Sequence, residues 1–286
     1  MWYYNRVIRN SLVPFIQQTL ANQGQSSAAG DQTKTILSLA AKAYLAEKSQ
    51  TSSARTDREF TSLAIPHLVI FLFAGHDTTA TTLCFAYHLL HKNPSTLARL
   101  RAEHDAVLGA DPSLAESRIA TNPQLLNALP YTTAVIKETL RLFAPAATVR
   151  QGQPGFDLVH PATGHRYPTE GLLVHQNSHT THHLESIFPR AWEFLPERFL
   201  AAEGEELHVR KNAFRPFELG PRACIGQELA LLELKMILVL TARVFEIESA
   251  YPEGMQDGPG GFGTYQIGSV SGHPKGGMPV RVRLRS

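Results

Sequence analysis

FELGPRACIG, residues Phe217 to Gly226, sets one cysteine behind a Gly-Pro turn at the opening of a strongly amphipathic stretch. A thiolate at a helix start is favoured by unpaired backbone N–H groups and by the positive end of the helix dipole. Gly220 permits a tight turn, Gly226 lets a flat ligand approach, and Pro221 stiffens the loop. Arg222 stands two residues before Cys224, placed to pair with an acidic group. The competing reading is a free cysteine acting as a small buried hydrophobe.

Outward from this loop, a helix is predicted over about 224–244. Upstream, FLPERF carries Arg198, and KETLRL carries Glu138 and Arg141 at helical i,i+3 spacing. On residue type alone, such a pair is a solvated surface bridge. Further upstream, a long helix is predicted over about 57–92, apolar nearly all round and so buried on most sides. Inside it, AGHDTT (residues 74–79) places Asp77 and Thr78 among apolar neighbours, where burial is unfavourable unless they are paired. A threonine bonding its own helix backbone is the alternative.

Taken together, these motifs resemble the cytochromes P-450. All five marked positions of that family's haem signature, F-x-x-G-x-R-x-C-x-G, are present at Phe217, Gly220, Arg222, Cys224 and Gly226. The resemblance implies a mainly α fold with a small β part, binding haem b through Cys224 as axial iron ligand. Arg222 is implied to hold a haem propionate, and Arg150, nine residues after Arg141, to hold another. AGHDTT matches the family's distal-helix motif. There Ala74 and Gly75 leave room for O2, Thr78 donates to the oxygen being activated, and Asp77 relays protons. The E-x-x-R pair and Arg198 become a buried structural network, Glu138–Arg141–Arg198, that holds up the cysteine loop. Phe73, Ala74, Ala146, Ala147 and Thr148 are implied substrate-pocket positions, with Tyr265 and Gln266 as further candidates.

The implied activity is that of a haem-thiolate monooxygenase of the fungal secondary-metabolism kind. It would be fed electrons from NADPH by a separate NADPH-cytochrome P-450 reductase and would act on an apolar small molecule. Two rivals stand beside it: a truncated, non-catalytic fragment of such an enzyme, and a haem-thiolate isomerase or dehydratase. The resemblance covers the family's C-terminal part, so 1–286 is expected as a single partial domain. Full-length relatives are implied to sit at the endoplasmic reticulum membrane, with this chain, lacking an anchor, expected on the cytosolic side.

The rest of the chain agrees. Helical spacing recurs in VIRNSLVPFIQQTL and TILSLAAKAYLAE, with loops expected at NQGQSSAAGDQ and SQTSSARTD. Helices are expected from Pro94 to Leu108, stopped by Gly109, and from Pro130 to Phe143. Short strands are expected between Val149 and Val174, irregular chain over 185–223, and a closing strand at VRVRL. The formal net charge of +2 gives no footprint for nucleic acid. Two cysteines in 286 residues exclude a disulfide scaffold, and Cys84 reads as inert packing. The opening MWYYNRVIRN has no signal-peptide h-region. Leu68 to Ala74, the longest apolar run, is too short to cross a bilayer, so no membrane span is expected. His175, His179, His182 and His183 have helical spacing for zinc but no H-E-x-x-H pattern.

Overall fold

The computed structural model describes residues 2–25, 35–50, 57–252, 259–268 and 271–285. The chain divides into two compact units, Met1–His76 and Asp77–Ser286. The first contains α1 (Trp2–Gln25), α2 (Ile36–Gln50) and the leading part of α3 (Asp57–Lys92). α1 runs on through the first residues of the expected NQGQSSAAGDQ loop; residues 26–34 and 51–56 lie outside the described residues. Thr35 and Ser38 open α2 by bonding each other's backbone N–H at 3.0 and 2.9 Å, a capping arrangement that satisfies free donors. Ile16, Leu20, Leu37, Ala41, Phe60 and Ile65 form this unit's core.

The expectation that α3 is buried on most sides holds only for its second half. Leu63 is 66% exposed and Leu72 64%, whereas Phe85, Leu89 and Leu90 are fully enclosed. An apolar composition marks a helix as able to be buried; a neighbour must be present to bury it. The expectation of no membrane span meets one weak candidate. By length and composition, α3 is apolar enough to cross a membrane, with a mean hydropathy of 1.4 in its richest window. The polar residues that flank Leu68–Ala74 leave the mean over a full window at that value.

The second unit packs the end of α3 with α4 (Pro94–Leu108), the short α5 (Ala115–Thr121), α6 (Pro130–Leu142) and α8 (Gln227–Thr241). Gly109, at φ +77, ends α4 where expected. α6 has no capping side chain of its own. Glu103 on α4 does that work, accepting from the amides of Tyr131 and Thr132 at 2.7 and 2.8 Å. Phe85 stacks on Phe143 with centroids 4.0 Å apart, and Phe262 meets Phe143 edge-on. α8 adds Leu234 and Leu238 to the same core.

The β part is four antiparallel two-stranded pieces. β1 (Thr148–Gln151) pairs with β4 (Leu173–Gln176), and β2 (Asp157–Val159) with β3 (Arg166–Pro168). The short α7 (Ser178–His182) follows β4. β5 (Phe245–Ser249) pairs with β8 (Val280–Leu284), the expected closing strand, and β6 (Gln266–Gly268) with β7 (Gly272–Pro274). His88 on α3 fastens this tail to the core through the Phe262 carbonyl at 2.6 Å and Ser249 Oγ at 3.0 Å.

His182 is a second fastener. Its Nδ1 donates to the Arg141 carbonyl at the end of α6, 3.0 Å away, and its Nε2 accepts the Arg215 amide at 3.1 Å. That geometry requires the neutral ring, and burial pushes His182 down to about 4. Burial likewise brings His104 and His183 to about 4. Below the ordinary histidine value of 6.5 the unfolded chain takes up protons that these folded sites refuse. Stability is therefore full above about pH 6.5, falls towards pH 4 and levels off below it, at roughly 1.4 kcal/mol per pH unit for a histidine as enclosed as His182. Urea unfolding at pH 7, 5.5 and 4.5 checks this. The acid slope is expected to be shallower in His182→Gln, which keeps a donor and an acceptor without a titrating ring.

Candidate functional site

The cysteine loop is shaped by two backbone positions that side chains seldom adopt. Glu218 has φ +59 and Gly220 φ +75. Glycine accepts this freely; for Glu218 it costs roughly 1–2 kcal/mol. Its carboxylate offsets that strain by binding Arg215, by accepting the Leu219 amide at 3.2 Å, and by a hydrogen bond with Thr148 at the start of β1. Burial opposes the charge of Glu218, yet Arg215 and these donors hold the carboxyl below its ordinary range. The Cys224 amide closes the loop on the Phe217 carbonyl at 2.8 Å, and the Phe217 side chain packs against the main core.

α8 begins at Gln227, so Cys224 lies three residues ahead of the helix rather than opening it, and the helix ends at Thr241. The expected span of about 224–244 was too long because apolar spacing continues into the flanking turns. The Cys224 amide is consumed by loop closure and is not one of the unpaired donors at the helix start. The thiol itself is exposed. A Cβ built on Gly226 would meet only Cys224 Sγ, at 4.0 Å, and one built on Gly220 would meet nothing within 4 Å. Neither glycine is demanded by the protein's own packing against it, so the sulfur faces open space that a flat group could enter. Arg222 is exposed in the turn Gly220–Arg222, with no hydrogen-bond or ion-pair partner among the described residues. Arg150 on β1 is exposed, and among the described residues its guanidinium bonds only its neighbour's carbonyl, Val149 O, at 3.1 Å. A soft sulfur, two available guanidinium groups and uncrowded glycines fit a haem.

Beneath the loop lies the expected ion network, and it is fully enclosed. Glu138, Arg141 and Arg198 side chains have no exposure. Arg141 grips Glu138 with two hydrogen bonds of 2.8 and 2.9 Å, and Arg198 Nε reaches Glu138 Oε1 at 3.2 Å. Other guanidinium N–H groups bind carbonyls at the end of α7 and in the irregular segment after it: His182, Ala191 and Glu193 for Arg141, Pro189 and Arg190 for Arg198. The surface-bridge alternative for Glu138 and Arg141 is thereby set aside.

On α3, Thr78 is half-buried and its carbonyl accepts from Thr82 Oγ1 at 2.8 Å. Asp77 is half-buried and accepts from Ser271 Oγ, while His273 Nε2 stands 3.6 Å from the same carboxylate oxygen. Thr81 Oγ1 lies 3.3 Å from His273 Nδ1. Sequence reasoning missed Ser271 and His273. They lie 194 and 196 positions beyond Asp77 in a turn-rich tail, and no local pattern announces the pairing. Phe73 is 49% exposed and Ala74 is exposed. His76 is exposed and has no role in this geometry. Burial pushes the Cys84 thiol up, in keeping with inert packing.

A cavity of about 260 Å³ opens between the 144–147 loop, the start of α7 and the β6–β7 hairpin. Ala146 and Ala147 line it, as does Gln266, whose amide is held by the Ala144 carbonyl at 3.0 Å. Thr148, committed to Glu218, and Tyr265 are not among its lining residues. The zinc alternative finds little to work with: both His182 nitrogens bind backbone, and His183 Nδ1 bonds the His179 carbonyl at 2.8 Å.

Comparison with known proteins gives consistent findings. The family model described as Cytochrome P450 matches residues 5–265. Cytochrome P450 monooxygenase polC of Polytolypa hystricis is 38% identical over 99% of this chain and 51% of its own length. Cytochrome P450 monooxygenase acrF of Aspergillus aculeatus is 37% identical over 98% of this chain and 61% of its own length. The crystal structure of a cytochrome P450, CYP102L1, superposes with a TM-score of 0.71 at 25% identity, covering 98% of this chain and 56% of that one. The chain thus spans between half and two thirds of the length of these relatives.

Breaking the enclosed network has a definite expected outcome. Glu138→Gln leaves two guanidinium groups without their anion and should lower unfolding stability by about 3–5 kcal/mol. Arg150→Ala, at an exposed position, should stay within about 0.5 kcal/mol of the parent. Chemical denaturation of the two variants side by side checks both.

Proposed function

The chain belongs to the cytochrome P450 family, and from that membership we propose that it works as a haem-thiolate monooxygenase acting on an apolar small molecule. The observation that carries the proposal is Cys224, an exposed sulfur beside glycines that nothing in the protein crowds. Haem b, when bound, supplies the activation of O2 and the insertion of one of its oxygen atoms into the substrate.

The chain's own residues supply the rest. Cys224 provides the thiolate ligand, on a loop held in shape by Phe217, Glu218 and Gly220. Arg222 and Arg150, the exposed cations, pair with the propionates. The Thr78 hydroxyl positions a proton at the reacting side of α3, and the Asp77 carboxyl, after taking up a proton from solvent, replaces it. Ala147, in the wall of the cavity, offers an apolar surface to substrate. Phe73 and Ala74 are assigned to the substrate side on family membership alone. Thr148 serves through Glu218 by steadying the cysteine loop. Electrons are assigned to NADPH through a separate NADPH-cytochrome P450 reductase, the setting to the endoplasmic reticulum membrane, and the role to secondary metabolism. The support for these three is the likeness to fungal monooxygenases such as polC and acrF.

A reduced, carbon-monoxide-treated sample of the hemin-supplemented chain tests the ligand. The red-shifted thiolate band is expected in the parent and absent from Cys224→Ala. Thr78→Ala should keep the band and send electrons to peroxide instead of product. A parent protein that stays colourless would overturn the proposal.

A further inference from the structure

The tail hairpin brings two side chains to Asp77 that the proposed reaction does not yet use. Ser271 Oγ donates to Asp77 Oδ2 and lies 3.3 Å from His273 Nε2. The His273 ring is about half exposed, at 49%, whereas the Asp77 side chain is 22% exposed. The other ring nitrogen, Nδ1, faces the buried Thr81 hydroxyl at 3.3 Å. The order is imidazole, hydroxyl, carboxylate, running from the solvent-facing group inward.

That order excludes a nucleophilic serine. In a hydrolytic triad the imidazole sits between hydroxyl and carboxylate and takes the hydroxyl proton. Here the serine is in the middle, its proton points at the carboxylate, and its oxygen is the acceptor for Nε2–H. At 3.6 Å the His273–Asp77 separation is too long for a direct hydrogen bond. Among the described residues, Ser271 is the group that hydrogen-bonds to both of them.

We propose that His273 and Ser271 form a relay that loads the Asp77 carboxylate with protons taken from solvent. This rests on Asp77 being the proton-handling group of the monooxygenase reading. His273 is then a positioning residue that acts through Ser271 and Asp77. The transfer balances. Solvent supplies one proton to the ring. Nε2–H gives its proton to Ser271 Oγ as the serine's own proton moves to Asp77 Oδ2. One N–H and one O–H bond break, two O–H bonds form, and no electrons change owner. The ring is left neutral with its proton on Nδ1, where Thr81 Oγ1 accepts it, and a further solvent proton restores Nε2–H. Imidazole is suited to this because it exchanges protons near neutral pH.

Few other charges intrude on the ring. Asp77 is the one anion within 4 Å of it among the described residues. From α3 the other facing group is the neutral Thr81. β6 sets Ile267 opposite His273 in register. The loop after α6, which meets the Gly272 amide through Pro145 O at 2.7 Å, is apolar over 144–147. Tyr265 and Lys275 flank the hairpin's two opposite arms, the Lys275 amide donating to the Tyr265 carbonyl at 2.9 Å, and His179 lies on the wall of the adjacent cavity.

The test has two arms on the full chain. The first needs no haem: the carboxyl carbon of Asp77 and the His273 ring are titrated by NMR. Asp77 is expected to shift in two steps, the second coinciding with the ring's own titration, and His273→Gln should leave one. A single Asp77 step, unchanged in His273→Gln, overturns the proposal. The second arm follows product formation against pH in the haem-loaded chain. Ser271→Ala and His273→Gln should lower kcat roughly tenfold with KM unchanged and flatten the kcat–pH profile. Ser271→Thr, which restores the hydroxyl, should recover it. A Ser271→Ala profile superimposable on the parent's overturns the relay. If the parent turns nothing over, the monooxygenase reading falls instead, and the carboxyl titration still decides the wiring.

Discussion

One enclosed carboxylate organises the functional half of this protein. Glu138 is held by Arg141 from its own helix and by Arg198 from a segment 60 residues away. An ion taken out of water is tolerated only when each of its hydrogen-bonding sites is met. Here the two guanidinium groups outnumber the one anion, and the imbalance is absorbed by five backbone carbonyls of the irregular chain around 182–193. Four of those carbonyls lie outside any strand or helix and the fifth, of His182, is at the end of α7, and among the described residues the arginines have no second carboxylate. Each supplies what the other lacks, so a stretch without regular structure acquires one conformation. Arg190 at φ +56 is part of that stretch, its carbonyl caught by Arg198.

The cysteine loop inherits this order through a short chain of contacts. His182, whose carbonyl binds Arg141, passes the connection to Arg215 through its neutral ring. Arg215 binds Glu218, and Glu218 sits in the left-handed backbone position that turns the chain towards Cys224. The thiol is thus presented by a rigid support while remaining uncovered itself. The same economy holds on α3. Its second half is anchored by stacked aromatics and by His88, and Asp77 at its edge is reached by a hairpin from the far end of the chain.

The residues proposed for the chemistry stand out in the chain because they form local patterns. A Gly-Pro turn before a cysteine, an i,i+3 acid–base pair and a polar pair inside an apolar helix are visible within ten residues. The helices at Pro94–Leu108 and Pro130–Leu142 were legible for the same reason, since proline and glycine act on the chain next to them. The start of α8 was not, because apolar periodicity continues past the point where backbone hydrogen bonding changes partner.

What the sequence by itself determined is therefore the inventory: a thiolate candidate, its neighbouring cations, and a carboxylate and hydroxyl on a long apolar helix. Tertiary structure alone decided which half of that helix is enclosed, that Glu138 and Arg141 are buried rather than solvated, and that Ser271 bonds Asp77 with His273 close by. The physical reason is that burial and hydrogen-bond partnership belong to pairs of surfaces. A residue's type states what it can bond, but the neighbour that arrives from 60 or 194 positions away determines what it does bond.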